Sequence, residues 1–287
     1  MTLTIFCNSM PQTMRQLNNL EQAIYSTIAY FDIFSYPLTL LELYKWLYYP
    51  ERRTGGKMPL SELVATLNRS SALRGLLREI NGFYFLVGRE KIIRQRLEEH
   101  NLIRERLERI RKFARLVQLV PFVLMVGACN NVAIGNINKK SDLDVLLVVR
   151  DGRIWLTRFL TTALTYLAGM WRHGQKIAGR ICLSFYVTDR AQDLEEISKR
   201  PYDIYLLYWT TMVLPVFDRD NAYQKFIKSN DWIKKYLPNF LPYEPVADRI
   251  TIKQNNLIKW GREKITEFLL QGKIGDGVEK IFRRIQL

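Results

Sequence analysis

The sequence is short of the residues that build many kinds of site. It holds three cysteines in 287 residues, Cys7, Cys129 and Cys182, odd in number and far apart. That excludes a disulfide scaffold and points to the reducing cytoplasm. Histidines number two, His100 and His173. With no paired cysteines beside them, a Cys/His zinc site is not expected, nor is a catalytic triad, which would need one of those two rings. Long apolar runs are missing as well. The longest, residues 159–171 and 204–217, carry Thr or Tyr at intervals. They fall short of the roughly 20 residues of a membrane span and read as buried helices. The opening stretch MTLTIFCNSMPQTMRQ lacks a basic start followed by an apolar core, so no signal peptide is expected.

Acidic residues are the scarcer charge, 28 against 43 basic ones, for a net +15. At 48% hydrophobic and 25% charged, the composition is that of a folded globular protein. The length allows two or three domains with cores of their own. Residues 119–190 carry five more basic than acidic side chains, against seven over 1–118 and three over 191–287. The excess is thus densest in the middle. Positive charge there suits a triphosphate as well as a nucleic-acid backbone. No internal repeat or low-complexity tract is present.

Leu20, Ile24, Ile28 and Phe31 recur at helical spacing. Pro37 then breaks the chain, and Thr39 is placed to cap a second helix, LLELYKWL. A turn-rich insert from Tyr49-Pro50 through Gly55-Gly56 to Pro59 precedes a third helix from Ser61. Asn81-Gly82 introduces a short aromatic strand, Phe83 to Val87, closed by Gly88. Three short helices followed by a strand resemble a winged helix-turn-helix, a fold that binds DNA in some proteins and mediates protein contacts in others. A small helical bundle with one edge strand fits the same pattern. Over residues 90–118 a single long helix is expected, with Ile93, Leu97, His100, Ile103, Leu107, Ile110, Ala114 and Val117 on one face. His100 on that stripe reads as a packing residue. The nine basic and five acidic residues of 90–118 read as a solvated connector surface.

The sharpest pattern follows. A β-prone run from Phe122 to Val126 ends at Gly127-Ala128, a polar loop comes next, and Ser141-Asp142-Leu143-Asp144 enters a second apolar strand through Val149. Alternate side chains of a strand share a face, so Asp142 and Asp144 point one way while Leu143 and Val145 enter a core. Two neighbouring carboxylates at the mouth of a buried strand repel each other and lose hydration unless a cation neutralises them. Oxygen donors suit Mg²⁺ or Mn²⁺, and those ions favour a triphosphate. Alternatively, the motif is a polar strand start with both carboxylates in solvent.

The arrangement of strand, Val126-Gly127-Ala128, thirteen intervening residues, Asp142-Leu143-Asp144-Val145 and strand resembles the nucleotidyltransferase domain of the DNA polymerase β superfamily. The resemblance covers residues 119–190. It implies that Gly127, Ala128 and the neighbouring Ser141 lie by the nucleotide phosphates. It also implies that Asp142 and Asp144 hold the metal while a hydroxyl attacks the α-phosphate and pyrophosphate leaves. Gly152 to Arg158 and Ile181 to Phe185 are similar to a bacterial and archaeal nucleotidyltransferase-like group. Two departures from the family stand out. Ala128 replaces the usual Ser, and the strand ICLSFYV at 181–187 has no third carboxylate. Ser184 takes the inward position there, and Asp189, just beyond the strand, is the candidate third acid.

Lys139, Lys140, Arg153, Arg158, Arg172, Lys176 and Arg180 surround the motif as a basic rim, either solvated or addressed to phosphates. Asn130, Asn131, Asn136 and Asn138 read as turn formers. In the last segment, Ile204 to Val213 is an aromatic helix ended by Pro215. Tyr205, Tyr208 and Trp209 on it are either core or a platform for a base. Asn230-Asp231-Trp232 begins a further helix, Pro238 and Pro242 mark a linker, and a helix from Gln254 to Leu270 precedes a basic tail.

The expected protein is α+β. It has a winged-helix-like domain at 1–89, a connector helix at 90–118, a small mixed-sheet nucleotidyltransferase domain at 119–190 and a helical region at 191–287. The leading function is metal-dependent transfer of a nucleoside monophosphate from an NTP to a hydroxyl acceptor on RNA or protein. One alternative is a catalytically degenerate fold acting as a nucleotide- or nucleic-acid-binding regulator. Another is a toxin–antitoxin type enzyme that modifies a partner protein or tRNA. No membrane partner is expected.

Overall fold

The computed structural model describes residues 17–49, 57–200, 203–244 and 250–287. Cys7, the N-terminal stretch and the Pro50 to Gly56 part of the turn-rich insert lie outside the described residues. The chain forms two compact units, Met1–Glu98 with Trp232–Leu241 and Glu99–Asp231 with Pro242–Leu287.

In the first unit, helix α1 (Asn19–Asp32) starts with a capping box between Asn18 and Glu21 and buries Leu20, Ile24, Ile28 and Phe31. Strand β1 (Leu38–Thr39) runs directly into α2 (Leu40–Lys45), where Thr39 and Glu42 form a second capping box. Next come α3 (Leu60–Arg69) and α4 (Ser71–Leu76), then strands β2 (Leu77–Ile80) and β3 (Phe83–Leu86). Strand β3 is the expected aromatic strand, and β2 is its additional hairpin partner. Asn81 and Gly82, at φ 54° and 79°, make the two-residue turn that joins them, a left-handed pair that Asn-Gly adopts cheaply. All three strands pair antiparallel in the order β1-β3-β2. Glu42 ties this unit together. The Arg96 guanidinium donates to its carboxylate at 2.7 and 2.9 Å and the Tyr36 hydroxyl at 2.9 Å. Burial opposes the charge on Glu42, but Arg96 and the Thr39 N–H outweigh it and hold the carboxyl below its usual value.

Helix α5 (Lys91–Val117) carries the chain from one unit into the other. Ile92 and Ile93 are buried at its start, and Ile110, Phe113, Ala114 and Val117 at its end. Its middle corrects the expected continuous stripe. Leu97 is 55% exposed and His100 lies in solvent, so His100 is no packing residue. The division of the chain falls between Glu98 and Glu99: Ile92 and Ile93 join a cluster of the first unit, whereas Leu102, Ile103 and Leu107 already pack on the core of the second.

The second unit is built on a four-stranded sheet of order β6-β5-β4-β7, comprising β4 (Val123–Ala128), β5 (Leu143–Val149), β6 (Ile181–Thr188) and β7 (Leu214–Asp218). The β5–β6 pair is parallel, with helix α7 (Ile154–Leu167) crossing between them; the other pairs are antiparallel. Short helix α6 (Asn130–Ile134) follows β4, and α8 (Ile204–Thr211) and α9 (Ala222–Ser229) flank β7. One face of the sheet buries Leu143, Val145, Leu147 and Val149 with Ile110 and Phe113 of α5. The other buries Leu146 and Val148 with Leu206, Trp209, Tyr223 and Phe226. Both faces are covered, which explains why the central strands are apolar at almost every position.

Strand β7 overturns one expectation. Residues 204–217 are not one helix, because α8 stops at Thr211 and the chain returns as a sheet edge. Pro215 is tolerated there since an edge strand can leave one N–H side unpaired. Only one 3₁₀ turn, Asp231–Lys235, forms where a helix from Asn230 was expected. Helix α10 (Asn256–Gly261), a π-helical stretch Arg262–Glu267 and α11 (Phe268–Leu270) make up the anticipated 254–270 helix. The basic tail is itself helix α12 (Lys273–Gln286). It stacks Phe282 on Phe159 at 4.3 Å, and its Glu279 accepts from the Trp155 and Leu156 N–H groups at 2.9 Å, capping α7. Among the described residues, no helix is long and apolar enough to cross a membrane.

Candidate metal centre

Strand alternation places Asp144 at the second position of β5, with buried Leu143 and Val145 on either side and its own carboxylate half-exposed. Asp142, just before the strand, shares that side. Parallel pairing brings Cys182, second residue of β6, opposite Asp144. One ligand atom from each of Asp142, Asp144 and Cys182 lies within 4.8 Å of the others, a group able to hold a metal ion. The donor chemistry fits a divalent cation through two carboxylates and a sulfur.

Three further side chains, none of them expected in this role, complete the surroundings. Asn130 opens α6 at φ 54°, with its Nδ2 donating to Asp144 Oδ2 at 3.0 Å. The Tyr205 hydroxyl donates to Asn130 Oδ1 at 3.2 Å, which matches the amide orientation. Arg172 donates from one nitrogen to Asp142 Oδ2 at 2.6 Å and to Cys182 Sγ at 3.4 Å. It gets there because residues 170–172 run beside the start of β6. The Ile181 N–H bonds the Met170 carbonyl and the Arg172 N–H bonds the Ile181 carbonyl.

The electrostatics follow from this crowding. Burial raises the Asp144 carboxyl above its usual value; the Asn130 hydrogen bond pulls it back, and the Asp142 charge adds to the rise. The Cys182 thiol is raised first by burial, against hydrogen bonds from Ser184 and Arg172. Cys129 is buried beside them, and burial followed by the Asp144 charge holds its thiol far above the ordinary value, so it stays neutral. The Tyr205 hydroxyl is raised by burial and by the nearby Asp144.

The other expected site residues are placed as follows. Ala128 ends β4 next to Asp144, since the Cys129 N–H bonds the Asp144 carbonyl at 3.1 Å. Ser141 locks the approach loop. Its Oγ accepts from the Asn138 N–H at 3.0 Å and its carbonyl from the Gly179 N–H at 2.8 Å. Gly127 lies one residue back, inside β4, paired with Leu146 and Pro215. A Cβ at Gly127 would lie 2.7 Å from Val213 Cγ1, so this glycine lets β4 approach the turn before β7. Gly127→Ala is expected to cost about 1–3 kcal/mol by overpacking against a stiff valine. In urea unfolding, Val213→Ala should recover much of that loss in the double variant. An unchanged midpoint in the single variant would refute the packing role.

Asp189 does not join the group. It follows the last residue of β6, with its N–H on the Val149 carbonyl and its carboxylate on Arg150 at 3.2 Å and the Asp151 N–H at 2.8 Å. That is the far end of β5, about 20 Å from Asp144 at some 3.3 Å per residue. Ser184 is exposed, and the register slips between Asp144 and Leu146, so Phe185 rather than Ser184 faces Leu146. In the basic rim, Arg153 is committed to structure through the Leu270 carbonyl at 3.0 Å and Asp276 at 2.8 Å. Tyr208 and Trp209 are buried and Trp209 packs on Phe185, so neither is a base platform. Tyr205 is 56% exposed.

No family model matches the chain, and neither the curated proteins nor the solved structures give a match.

Proposed function

We propose that the second unit is a metal-dependent nucleotidyltransferase that moves a nucleoside monophosphate from an NTP to a hydroxyl acceptor. The observation that carries this reading is the pair Asp142 and Asp144 on one side of β5, beside a third ligating side chain. The sequence resemblance to the polymerase β superfamily at Gly127-Ala128 and Asp142-Leu143-Asp144 supports it. Mg²⁺ or Mn²⁺ is the cation that this resemblance implies. A cation bound there would neutralise triphosphate charge and lower the cost of ionising the attacking hydroxyl.

The chain's own residues have distinct tasks in this reading. Asp142 and Asp144 supply charge and hold the cation. Asn130, steadied by Tyr205, fixes one Asp144 oxygen and so aims the other. Arg172 neutralises Asp142 in the resting site and, being half-exposed, is free to turn to an incoming phosphate. Lys139 and Lys140, both exposed on the approach loop, add attraction for a polyanion. The sparse cysteines make the cytoplasm the expected place of action.

Purified protein incubated with α-³²P-NTPs, a divalent cation and a cell-extract acceptor fraction should yield a labelled product. No label from any of the four NTPs would sink this reading.

A second reading has its own support. Neither β6 nor Asp189 provides a third carboxylate at Asp144, and Arg172 already occupies Asp142. That favours a catalytically degenerate, nucleotide- or nucleic-acid-binding regulator. The helix, strand, three-helix and hairpin order of the first unit supports a winged-helix interpretation of the same kind. Salt-dependent duplex binding without transfer would decide for it.

A further inference from the structure

We infer that Cys182 is the third protein ligand of this centre, and that the centre takes a thiophilic divalent cation of the Zn²⁺ class in preference to Mg²⁺. The inference rests on the metal-dependent reading above and departs from it in the metal, Mg²⁺ or Mn²⁺ there. Position is the first argument. Strands β5 and β6 are parallel, so a ligand joining Asp144 from β6 must come from the start of β6, and the residue paired with Asp144 there is Cys182. Among the described residues, the group around Asp142 and Asp144 gains Cys182 and no histidine or third acid.

Donor chemistry is the second argument. Mg²⁺ is a hard ion that binds oxygen and keeps much of its water, whereas a sulfur donor selects zinc-like ions. Two carboxylates and one sulfur give three protein ligands, leaving the remainder of the coordination sphere to water or substrate. The poverty of the sequence in cysteine and histidine excludes zinc motifs defined by local spacing. It does not exclude a centre that strand pairing assembles from residues 38 positions apart (Asp144 and Cys182).

Arg172 supplies an independent third argument. One of its nitrogens contacts Asp142 Oδ2 and Cys182 Sγ together, so a positive group already bridges an oxygen and the sulfur. Its side chain is 43% exposed and leads into the exposed turn at 173–178, so it can withdraw into solvent as an ion arrives. Two carboxylates, a thiolate, a divalent ion and the nearby guanidinium then sum to no net charge.

The test uses the full chain, stripped with chelator and titrated with Cd²⁺ while the ultraviolet thiolate-to-cadmium charge-transfer band is recorded. The expected result is a stoichiometric band, bleached by Zn²⁺ and resistant to a large excess of Mg²⁺. Cys182→Ser should abolish the band and weaken Cd²⁺ about 10- to 100-fold, while Cys7→Ser keeps both. Cys182→Asp should remove the band and tighten Mg²⁺ by about the same factor. A band that survives Cys182→Ser, or Mg²⁺ that competes on equal terms, overturns the thiol ligand and leaves the Asp142 and Asp144 centre standing. A band or an affinity untouched by Asp144→Asn, or no binding of any of the three ions, overturns the inference and the metal-dependent reading together. Should Cys182→Ser fail to fold, the Cys182→Asp and Asp144→Asn arms still decide.

Discussion

Asp144→Asn is expected to lose nucleotidyl transfer by about a thousandfold or more, and yet to unfold at the same or a higher temperature than the parent. The two halves of this expectation have different physical sources. A thousandfold loss corresponds to about 4 kcal/mol of barrier, what removing a metal-binding charge from the reacting centre should cost. The geometry barely changes, because Asn is isosteric and its Oδ1 can still accept the Asn130 hydrogen bond. Stability moves the other way. Burial raises the Asp144 carboxyl, and the Asp142 charge adds to the rise, so without metal the ionised form is the one the fold disfavours. Replacing it by a neutral amide relieves that cost. Asp142→Asn should lose transfer similarly with little change in melting, since it gives up only a half-exposed ion pair with Arg172. The check is a transfer assay beside a thermal melt in chelator. A variant that melts well below the parent would show that Asp144 holds the fold rather than the chemistry.

Why the pair was legible and its surroundings were not follows from the range of each signal. Alternation is local, so Ser141 to Val149 reveals from sequence alone that Asp142 and Asp144 share a side while Leu143 and Val145 are buried. Capping is local too, and Thr39 was readable as the start of α2. Cys182, Arg172 and Asn130 each depend on something non-local. Cys182 reaches Asp144 through strand pairing, and the slip after Asp144 then hands the next place to Phe185 instead of Ser184. Arg172 is aimed by backbone bonds to β6 that no periodicity announces. Asn130 does adopt the left-handed conformation typical of turn asparagines, but its amide is spent on Asp144.

Asp189 was a different kind of miss. Once β6 is parallel to β5, its end must lie far from the start of β5, so the candidate failed on topology rather than chemistry. Strand β7 was hidden because an apolar run of that length reads equally as buried helix or buried strand. The charged helix α5 was visible by its period, but the point where it leaves one core for another was not, and His100 sits there.

The largest expected effect on stability lies at the other end of the sheet. Glu267, on the π-helical stretch, accepts from Arg219 at 2.7 and 2.9 Å, with both side chains only 6% exposed, and the Arg262 Nε lies 3.4 Å away. The same carboxylate accepts the Phe122 N–H at 2.9 Å. Phe122 stands at φ 68°, a strained conformation for a bulky residue, and it leads directly into β4. Glu267→Ala would remove the buried charge that two guanidiniums face and orphan that N–H. The expected cost is about 3–5 kcal/mol, which in a domain of this size lowers the melting temperature by about 10 °C. Glu267→Gln keeps an acceptor for Phe122 and should fall between. The sign with pH is fixed as well. Burial works against the charge, but the hydrogen bonds of Arg219 and the Phe122 N–H, with the charges of Arg219 and Arg262, hold the carboxyl below its usual value. The stabilisation is therefore complete above the unfolded-state value of about 4.3 and is lost as pH falls through the lower folded-state value. In melts taken from pH 7 downward, the advantage of the parent over Glu267→Gln should shrink as the folded carboxyl takes up its proton. Curves that stay parallel would show that the carboxylate's charge contributes nothing. Since β4 ends at Ala128 and leads through Cys129 to Asn130, weakening its start by Glu267→Ala should also loosen metal binding at Asp144, from the opposite end of the sheet.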